Sequence, residues 1–280
     1  MLLGINDIKE ITHAMLAYPG MDYTEYSLSF MKRRLTGLAT RQRIRRKEQF
    51  LARLQDEEFR ELLRTELCVD NTEMFRDPAL WRLLRDKFLP ALPQDAACLW
   101  LPHETSGEDS YSLALILHEA ELPCSFQILA QSPSQQRCNN IEAGLINQQH
   151  HEQNLSNYKR LEDRDAYERY IVEEAGKSHI APNLRQNINC LQGHFLSRQP
   201  KRRDIGLILF RNVGLYFNPK LNHHALRLLI DALMPGGYLV LGLKDHMPAD
   251  LEKELLVCDS AERIYQKPIL KEPSYGMHRF

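Results

Sequence analysis

One stretch constrains this chain more than any other: residues 204–217, Asp-Ile-Gly-Leu-Ile-Leu-Phe-Arg-Asn-Val-Gly-Leu-Tyr-Phe, led in by Lys201-Arg202-Arg203. Its apolar run, Ile205–Phe210, is short, β-rich and free of alternation, and it stops at Arg211-Asn212. Such a run reads as a central strand buried on both faces. In an open α/β sheet, ligands bind beyond the carboxyl ends of these strands. Arg211, Asn212 and Tyr216 are therefore expected at a ligand edge. An Asn after a strand is also an ordinary turn residue, and both readings stand. A helix over 222–233, the stop Met234-Pro235-Gly236-Gly237 and a strand over 238–242 complete a β-α-turn-β unit.

Composition narrows the class. With 280 residues, 43% apolar and 26% charged, the chain can build one larger core or two smaller ones. A net charge of −1 exerts no global pull toward nucleic acid or membrane. No apolar run reaches the roughly 18–20 residues of a bilayer span. The first residues lack the pattern of a signal peptide. The six cysteines show no metal or redox spacing, so reduced thiols in a cytoplasmic protein are expected. Gln148-Gln149-His150-His151 and His223-His224 place adjacent histidines on different helix faces, which disfavours a metal site.

In the chain's order, residues 1–65 read as helical: a helix from 5 ended by Tyr18-Pro19-Gly20, one starting at 22–26, and two short ones near 47–55 and 57–67. Residues 32–47 hold eight Lys or Arg and no acid, either a solvated face or a surface for an acidic partner. Few aromatics interleave with them, which weakens a single-stranded nucleic-acid role. Residues 71–78 signal a turn and a helix start before an apolar helix over 80–89. A strand at 97–101, the small-residue loop 102–110 and a helix at 111–120 form the usual cofactor corner of such a sheet. A second strand at 126–130 runs into Gln131-Ser132. Asn187 begins a third strand reaching Phe195, and a last edge strand starts at Arg263.

The motif Phe210-Arg211-Asn212-Val213-Gly214-Leu215-Tyr216-Phe217, followed by Pro-Gly-Gly-Tyr-Leu-Val-Leu-Gly at 235–242, resembles the chemotaxis receptor methyltransferase (CheR) family. Further likeness lies in Gly20–Tyr26 with Met31-Lys32-Arg33-Arg34-Leu35, in Thr72-Glu73-Met74-Phe75-Arg76-Asp77, and in Ser106-Gly107-Glu108-Asp109-Ser110-Tyr111-Ser112. The resemblance implies an α/β fold: a small N-terminal helical domain and linker (1–85), then a Rossmann-like methyltransferase domain (86–280) with a small inserted subdomain at about 146–186. It implies S-adenosylmethionine as methyl donor and glutamate side chains of a receptor as acceptors.

Site roles carry over by position. Thr72 and Arg76 are expected at the cofactor and the transferred methyl, where an Arg fork suits a carboxylate. Gly107 and Glu108 are expected at the cofactor's amino-acid end, Asn212 at its adenine, and Tyr216 beside the incoming glutamate. Arg33, Arg34 and Arg41 would face a helical, acidic receptor-type or signalling protein. The chain also departs from the pattern. Pro102, His103 and Glu104 stand where the family has small residues, His194-Phe195 replaces an Asn-Leu, and Ser132 replaces the ribose-binding Asp. A neutral hydroxyl contributes roughly 1 kcal/mol where a charged acceptor gives about 1.5–3, so weaker cofactor binding is expected. Three functions remain open on the sequence: a protein-glutamate methyltransferase, an inactive interaction module that no longer binds the cofactor, and a methyltransferase acting on a small molecule.

Overall fold

A computed structural model describes residues 3–68, 73–122, 126–162 and 167–269. Four helices come first: α1 (Ile5–Met15), α2 (Leu28–Arg41), α3 (Lys47–Arg53) and α4 (Glu57–Leu67). α1 buries Ile8, Ile11 and Met15 at helical spacing. α2 begins at Leu28, six residues after the expected start. Residues 25–27 are instead zipped to 216–218: Ser27 N donates to Tyr216 O at 2.7 Å, Asn218 N donates to Glu25 O at 3.0 Å, and Tyr26 bridges Phe217. Tertiary pairing outweighs local helix propensity here, and Ser27 then caps α2 by accepting from Phe30 N.

α5 (Pro78–Leu83) carries Pro at its first helical position and passes into a π-helical turn, Leu84–Phe88. There follow β1 (Cys98–Leu101), α6 (Glu108–Glu119), β2 (Gln127–Ser132), α7 (Gln135–Glu142) and α8 (His151–Glu162). The inserted region then folds as a hairpin, β3 (Ile171–Glu174) and β4 (Lys177–Ile180), and a short α9 (Pro182–Arg185). β5 (Ile188–Gln192), β6 (Ile205–Phe210), α10 (Pro219–Ala232), β7 (Tyr238–Leu241), α11 (Ala249–Glu252), β8 (Leu256–Asp259) and β9 (Ile264–Gln266) complete the chain.

The main sheet runs β5-β2-β1-β6-β7-β9-β8. β6 lies parallel to both β1 and β7 and is buried at every residue. The strand order reverses between β1 and β6, the switch point where open α/β sheets bind ligands. β9 is antiparallel to β7, and it is not the expected edge: β8 pairs outside it. β8 exposes Leu256 and Val257, so its pattern resembles neither a buried nor a half-buried strand. β5 ends at Gln192, leaving 193–195 as a loop.

The sheet's pleat divides the core. Cys98, Trp100, Ile208 and Phe210 face α1–α4 and α10 in one apolar cluster. Leu99, Leu101, Leu207 and Leu209 face α5, α6 and α8 in the other. Burying each such side chain contributes about 1.5–3 kcal/mol. The N-terminal helices thus share a continuous core with one sheet face, and that packing fixes them over the carboxyl end of β6.

Candidate functional site

Two loops meet at the switch point. After β6, Arg211 turns inward. Its side chain is 1% exposed and binds Asp109 at 3.0 Å and Asp77 at 2.7 Å. It also donates to Arg76 O at 3.0 Å, and its guanidinium stands 5.7 Å from the Trp81 ring. Expected at the ligand edge, Arg211 is instead a clasp joining the linker before α5 to the first turn of α6. Two acids within hydrogen-bonding reach outweigh exposure to solvent.

Asn212 adopts φ +59, a region Asn tolerates better than most residues. Its N–H donates to Asp245 at 2.5 Å, and Asp245 also accepts from Gly242 N and Leu215 N. A Cβ on Gly242 would lie 2.6 Å from both Asn212 N and Oδ1, so the Gly ending the β7 motif exists to admit this turn. The Asn212 Nδ2 amide is buried and has no partner among the described residues. Asn212 is therefore a turn residue with an unspent donor, and the two readings of it coexist. Tyr216 is half-buried, its ring 4.7 Å from that of Phe30 in α2.

After β1 the loop is organised by Glu104. This carboxylate is 1% exposed. It accepts from Thr105 N at 3.0 Å, Gly107 N at 2.9 Å, Ser110 N at 3.1 Å and Ser110 Oγ at 3.1 Å. Gly107, at φ +97, is the N-cap of α6 and has no side chain to cap with. A Cβ there would strike the Tyr111 ring at 2.3 Å. Glu104 therefore caps α6 from outside the helix, filling the space that small residues would leave open. Burial and the neighbouring Asp109 push its pKa up to about 7, against the pull of its donors.

α6 starts three residues earlier than its pattern suggests, which puts Glu108 in its first turn. Glu108 is 4% exposed and burial pushes its pKa up to about 8. Its Oε2 has no hydrogen-bond partner among the described residues, and its side chain lines a cavity of about 680 Å³. The walls are Thr105 and Ser106, Arg137 and Asn140 of α7, Leu145–His150 and the start of β4. Nearby, His103 and His194 face each other, ring centroids 6.4 Å apart, and burial lowers their pKa values to about 3 and about 4. Tyr26 Oη lies 2.7 Å from His194 Nε2. Two departures from the resembled pattern, at 103 and at 194, thus pack together on the aromatic N-terminal segment.

The remaining expected residues fall as follows. Ser132 is fully buried, its Oγ 3.9 Å from Cys68 Sγ. α4 covers that strand end: Glu61 accepts from Ser134 Oγ at 2.7 Å and Gln136 N at 3.0 Å. Arg76 is half-buried, with Nε 3.8 Å from Glu73. Thr72 lies outside the described residues. Arg33 is exposed, Arg34 holds its guanidinium 5.6 Å from the Phe30 ring, and Arg41 is paired with Glu66 of α4. Tyr111 and Ser112, part of the resembled motif, are structural. Tyr111 Oη donates toward the carbonyls ending α7, and Ser112 Oγ accepts from Phe75 N at 2.9 Å. Asn154 and Asn157 of α8 hold both backbone groups of Met74. The structure thus gathers Arg76, Asp77, Asp109 and Arg211 into one network. Among the described residues, Glu108 alone of those expected lines the cavity of about 680 Å³. Two of the cysteines scattered in sequence meet at Ser132: Cys138 Sγ donates toward its carbonyl at 3.9 Å, and Cys68 Sγ lies 3.9 Å from its Oγ. Among the described residues no group of side chains is arranged to hold a metal.

A mostly parallel sheet with a switch point flanked by an acid-lined loop and an Asn turn defines a doubly wound α/β protein. The sequence comparisons place it further. Residues 70–264, well over half of the chain, match the model of the CheR methyltransferase SAM-binding domain, and the chain belongs to that family. It is 28% identical over 180 residues to Cher3 of Pseudomonas putida, covering 64% of this chain and 66% of that one, just under two thirds of its length. It is 26% identical over 204 residues to a chemotaxis protein methyltransferase of Vibrio parahaemolyticus, covering 69% and 71%. A chemotaxis protein methyltransferase of Listeria innocua is 24% identical over 245 residues, covering 82% and 87%. No helix among the described residues is long and apolar enough to cross a membrane.

Proposed function

We propose that the protein binds S-adenosylmethionine at the switch point and transfers its methyl group to glutamate carboxylates of a helical, acidic signalling protein. The observation that carries this reading is Glu108, a residue of the cavity wall whose buried Oε2 has no hydrogen-bond partner among the described residues. A buried carboxylate oxygen without a partner costs several kcal/mol unless a cation or donor meets it. An ammonium group supplies both. The unspent Asn212 amide suits a heterocyclic nitrogen acceptor. The two demands match the two ends of this nucleoside.

When bound, S-adenosylmethionine supplies a methyl group on a sulfonium. Glu108 would hold the ammonium, the Arg76 fork the carboxylate and Asn212 the adenine. Gly107 allows the loop its close approach. A glutamate is already ionised at neutral pH, since its ordinary pKa is about 4.3. One carboxylate oxygen forms the new bond to the methyl carbon as the carbon–sulfur bond breaks, so no proton moves and no general base is required. Tyr216 would orient the acceptor. The packing of Phe30 on Tyr216 brings α2, with Arg33 and Arg34, over the same loop, and this supports an acidic partner on that face.

Calorimetric titration with S-adenosylmethionine and S-adenosylhomocysteine tests the reading. Roughly micromolar binding is expected; no heat from either nucleoside at millimolar concentration would overturn it. Base-labile methyl incorporation into an acidic helical protein then tests the acceptor. Ser132 beneath Cys68 is the observation favouring the second reading, a module without cofactor, and the same titration decides between them.

A further inference from the structure

The amino end of α6 is built to take an anion. Its first-turn N–H groups carry the positive end of the helix dipole, and such ends bind carboxylates and phosphates. In this chain that position is filled from within. Glu104 uses both oxygens on the N–H groups of Thr105, Gly107 and Ser110 and on the Ser110 hydroxyl. Four donors saturate one carboxylate. Immediately beside them, Glu108 is nine-tenths buried, unpartnered at Oε2 and on the cavity wall. The helix end is therefore already met by one carboxylate, while the next acid along, a residue of the cavity wall, keeps a buried oxygen that no donor meets among the described residues.

We propose that Glu104 is a specificity-determining residue: by occupying the anion position at the amino end of α6, it converts the loop after β1 into a site selective for cationic ligands. The argument rests on the cofactor reading above for the identity of that ligand. S-adenosylmethionine carries one positive charge more than S-adenosylhomocysteine, so a loop already anionic prefers the methyl donor to its product. Arg137 on the facing wall from α7, Lys177 at the start of β4 and the Arg211–Asp109 pair behind the loop are charges packed around this corner. Arg211 is committed to Asp109 and Asp77 and leaves Glu104 without a formal counter-charge.

The test uses the full chain at pH 8 with three variants. Glu104→Ala and Glu104→Cys empty the anion position. Sodium acetate, the carboxylate that Glu104 otherwise supplies, should then raise their melting temperature saturably, where sodium chloride at equal ionic strength does not. The wild type should show no such gain. Glu104→Gln keeps the shape without the charge and should show none either. In calorimetry the wild type should favour S-adenosylmethionine over S-adenosylhomocysteine by about tenfold, the scale of one charge interacting across a partly buried site. All three variants should lose most of that preference. A folded Glu104→Ala protein without an acetate-specific gain overturns the proposal, as does a Glu104→Gln protein with the wild-type preference intact. A purely structural cap would move stability but leave the ratio of the two affinities unchanged. Should the wild type bind neither nucleoside, the proposed function fails, and the acetate arm still decides whether Glu104 blocks an anion site.

Discussion

The carboxyl ends of β6 and β1 are neighbours in the sheet, yet the loops beyond them settle their charges in opposite ways. After β6, Arg211 meets two carboxylates, and the groups left unmet among the described residues are donors, its own Nε and Asn212 Nδ2. After β1, Glu104 meets only dipoles, and what remains unmet is a carboxylate oxygen, Glu108 Oε2. One loop is locked by formal charge and the other is poised for a cation. Under the proposed function, the difference separates the residues that hold the architecture from those that would meet a ligand.

The largest expected effect comes from cutting the locked side. Arg211→Ala leaves Asp109 buried without its cation and frees the linker carrying Arg76, so a loss of about 3–5 kcal/mol is expected in urea unfolding. Arg211→Lys should restore less than half, because one ammonium cannot span Asp109, Asp77 and the Arg76 carbonyl as a planar fork does. A loss below about 1 kcal/mol for Arg211→Ala, the range of a surface pair, would show that the contrast between the loops is wrongly drawn. The poised side should respond differently. Glu108→Gln removes a buried charge whose Oε2 has no partner among the described residues, so the protein should be as stable as the wild type or more so at pH 8. Its affinity for S-adenosylmethionine should fall by at least about tenfold, the loss of one charge-assisted bond. Equal affinity in calorimetry would detach Glu108 from the cofactor.

The same contrast explains what the sequence made legible. β6 could be read because an unalternating apolar run has one physical meaning in a sheet. Asn212 and Tyr216 could be placed because they follow that strand directly. The inward turn of Arg211 is not legible locally, because its partners, Asp109 and Asp77, lie 102 and 134 residues away, and no local pattern reports such a pair. Glu104 stands where the resembled pattern has small residues, and its role as a cap follows only once the helix is seen to start at Glu108 rather than Tyr111. A signal did exist: an acid three residues before a Gly that cannot cap, followed by Ser110, is a capping arrangement displaced by one turn. β8 escaped because it is short and exposes two of its apolar residues. The late start of α2 escaped because its cause, pairing with residues 216–218, is tertiary.

Acid and base titrations sharpen the comparison at smaller amplitude. Glu104 and Glu108 have folded-state pKa values pushed up to about 7 and about 8. Between about pH 4.3 and those values the native state binds more protons than the unfolded chain, so stability falls as pH rises through that window. His103 and His194 are lowered to about 3 and about 4. Their contribution is present above the unfolded value of about 6.5 and is lost as pH falls toward the folded values. The two trends oppose each other between about pH 4.5 and 6.5, and melting temperature should be flat there. It should decline from about 6.5 to 8, and Glu108→Gln should reduce that decline. Added S-adenosylmethionine should raise melting temperature more at pH 8 than at pH 6, since its cation replaces a proton. Melting curves without a decline above pH 6.5 would mean that the two acids are compensated in solution.

The smallest structural effect, and the finest probe of the β6 loop, is Tyr216→Phe. The ring is held by Phe30 at 4.7 Å, and the backbone carbonyl by Ser27 N at 2.7 Å. Neither contact involves the hydroxyl, so stability should change by no more than about 0.5 kcal/mol. S-adenosylmethionine affinity should be unchanged as well, because Glu108 and Asn212 are untouched. Any loss should therefore appear only when an acceptor carboxylate is present, as a fall in methyl incorporation of about tenfold for one hydrogen bond to a charged group. Because the Tyr216 ring touches α2, the companion change Phe30→Ala should free the ring and lower incorporation too, at a cost of about 3–5 kcal/mol in stability. Full activity in Tyr216→Phe would leave the phenol without a part in the transfer and assign orientation of the acceptor to the arginines of α2.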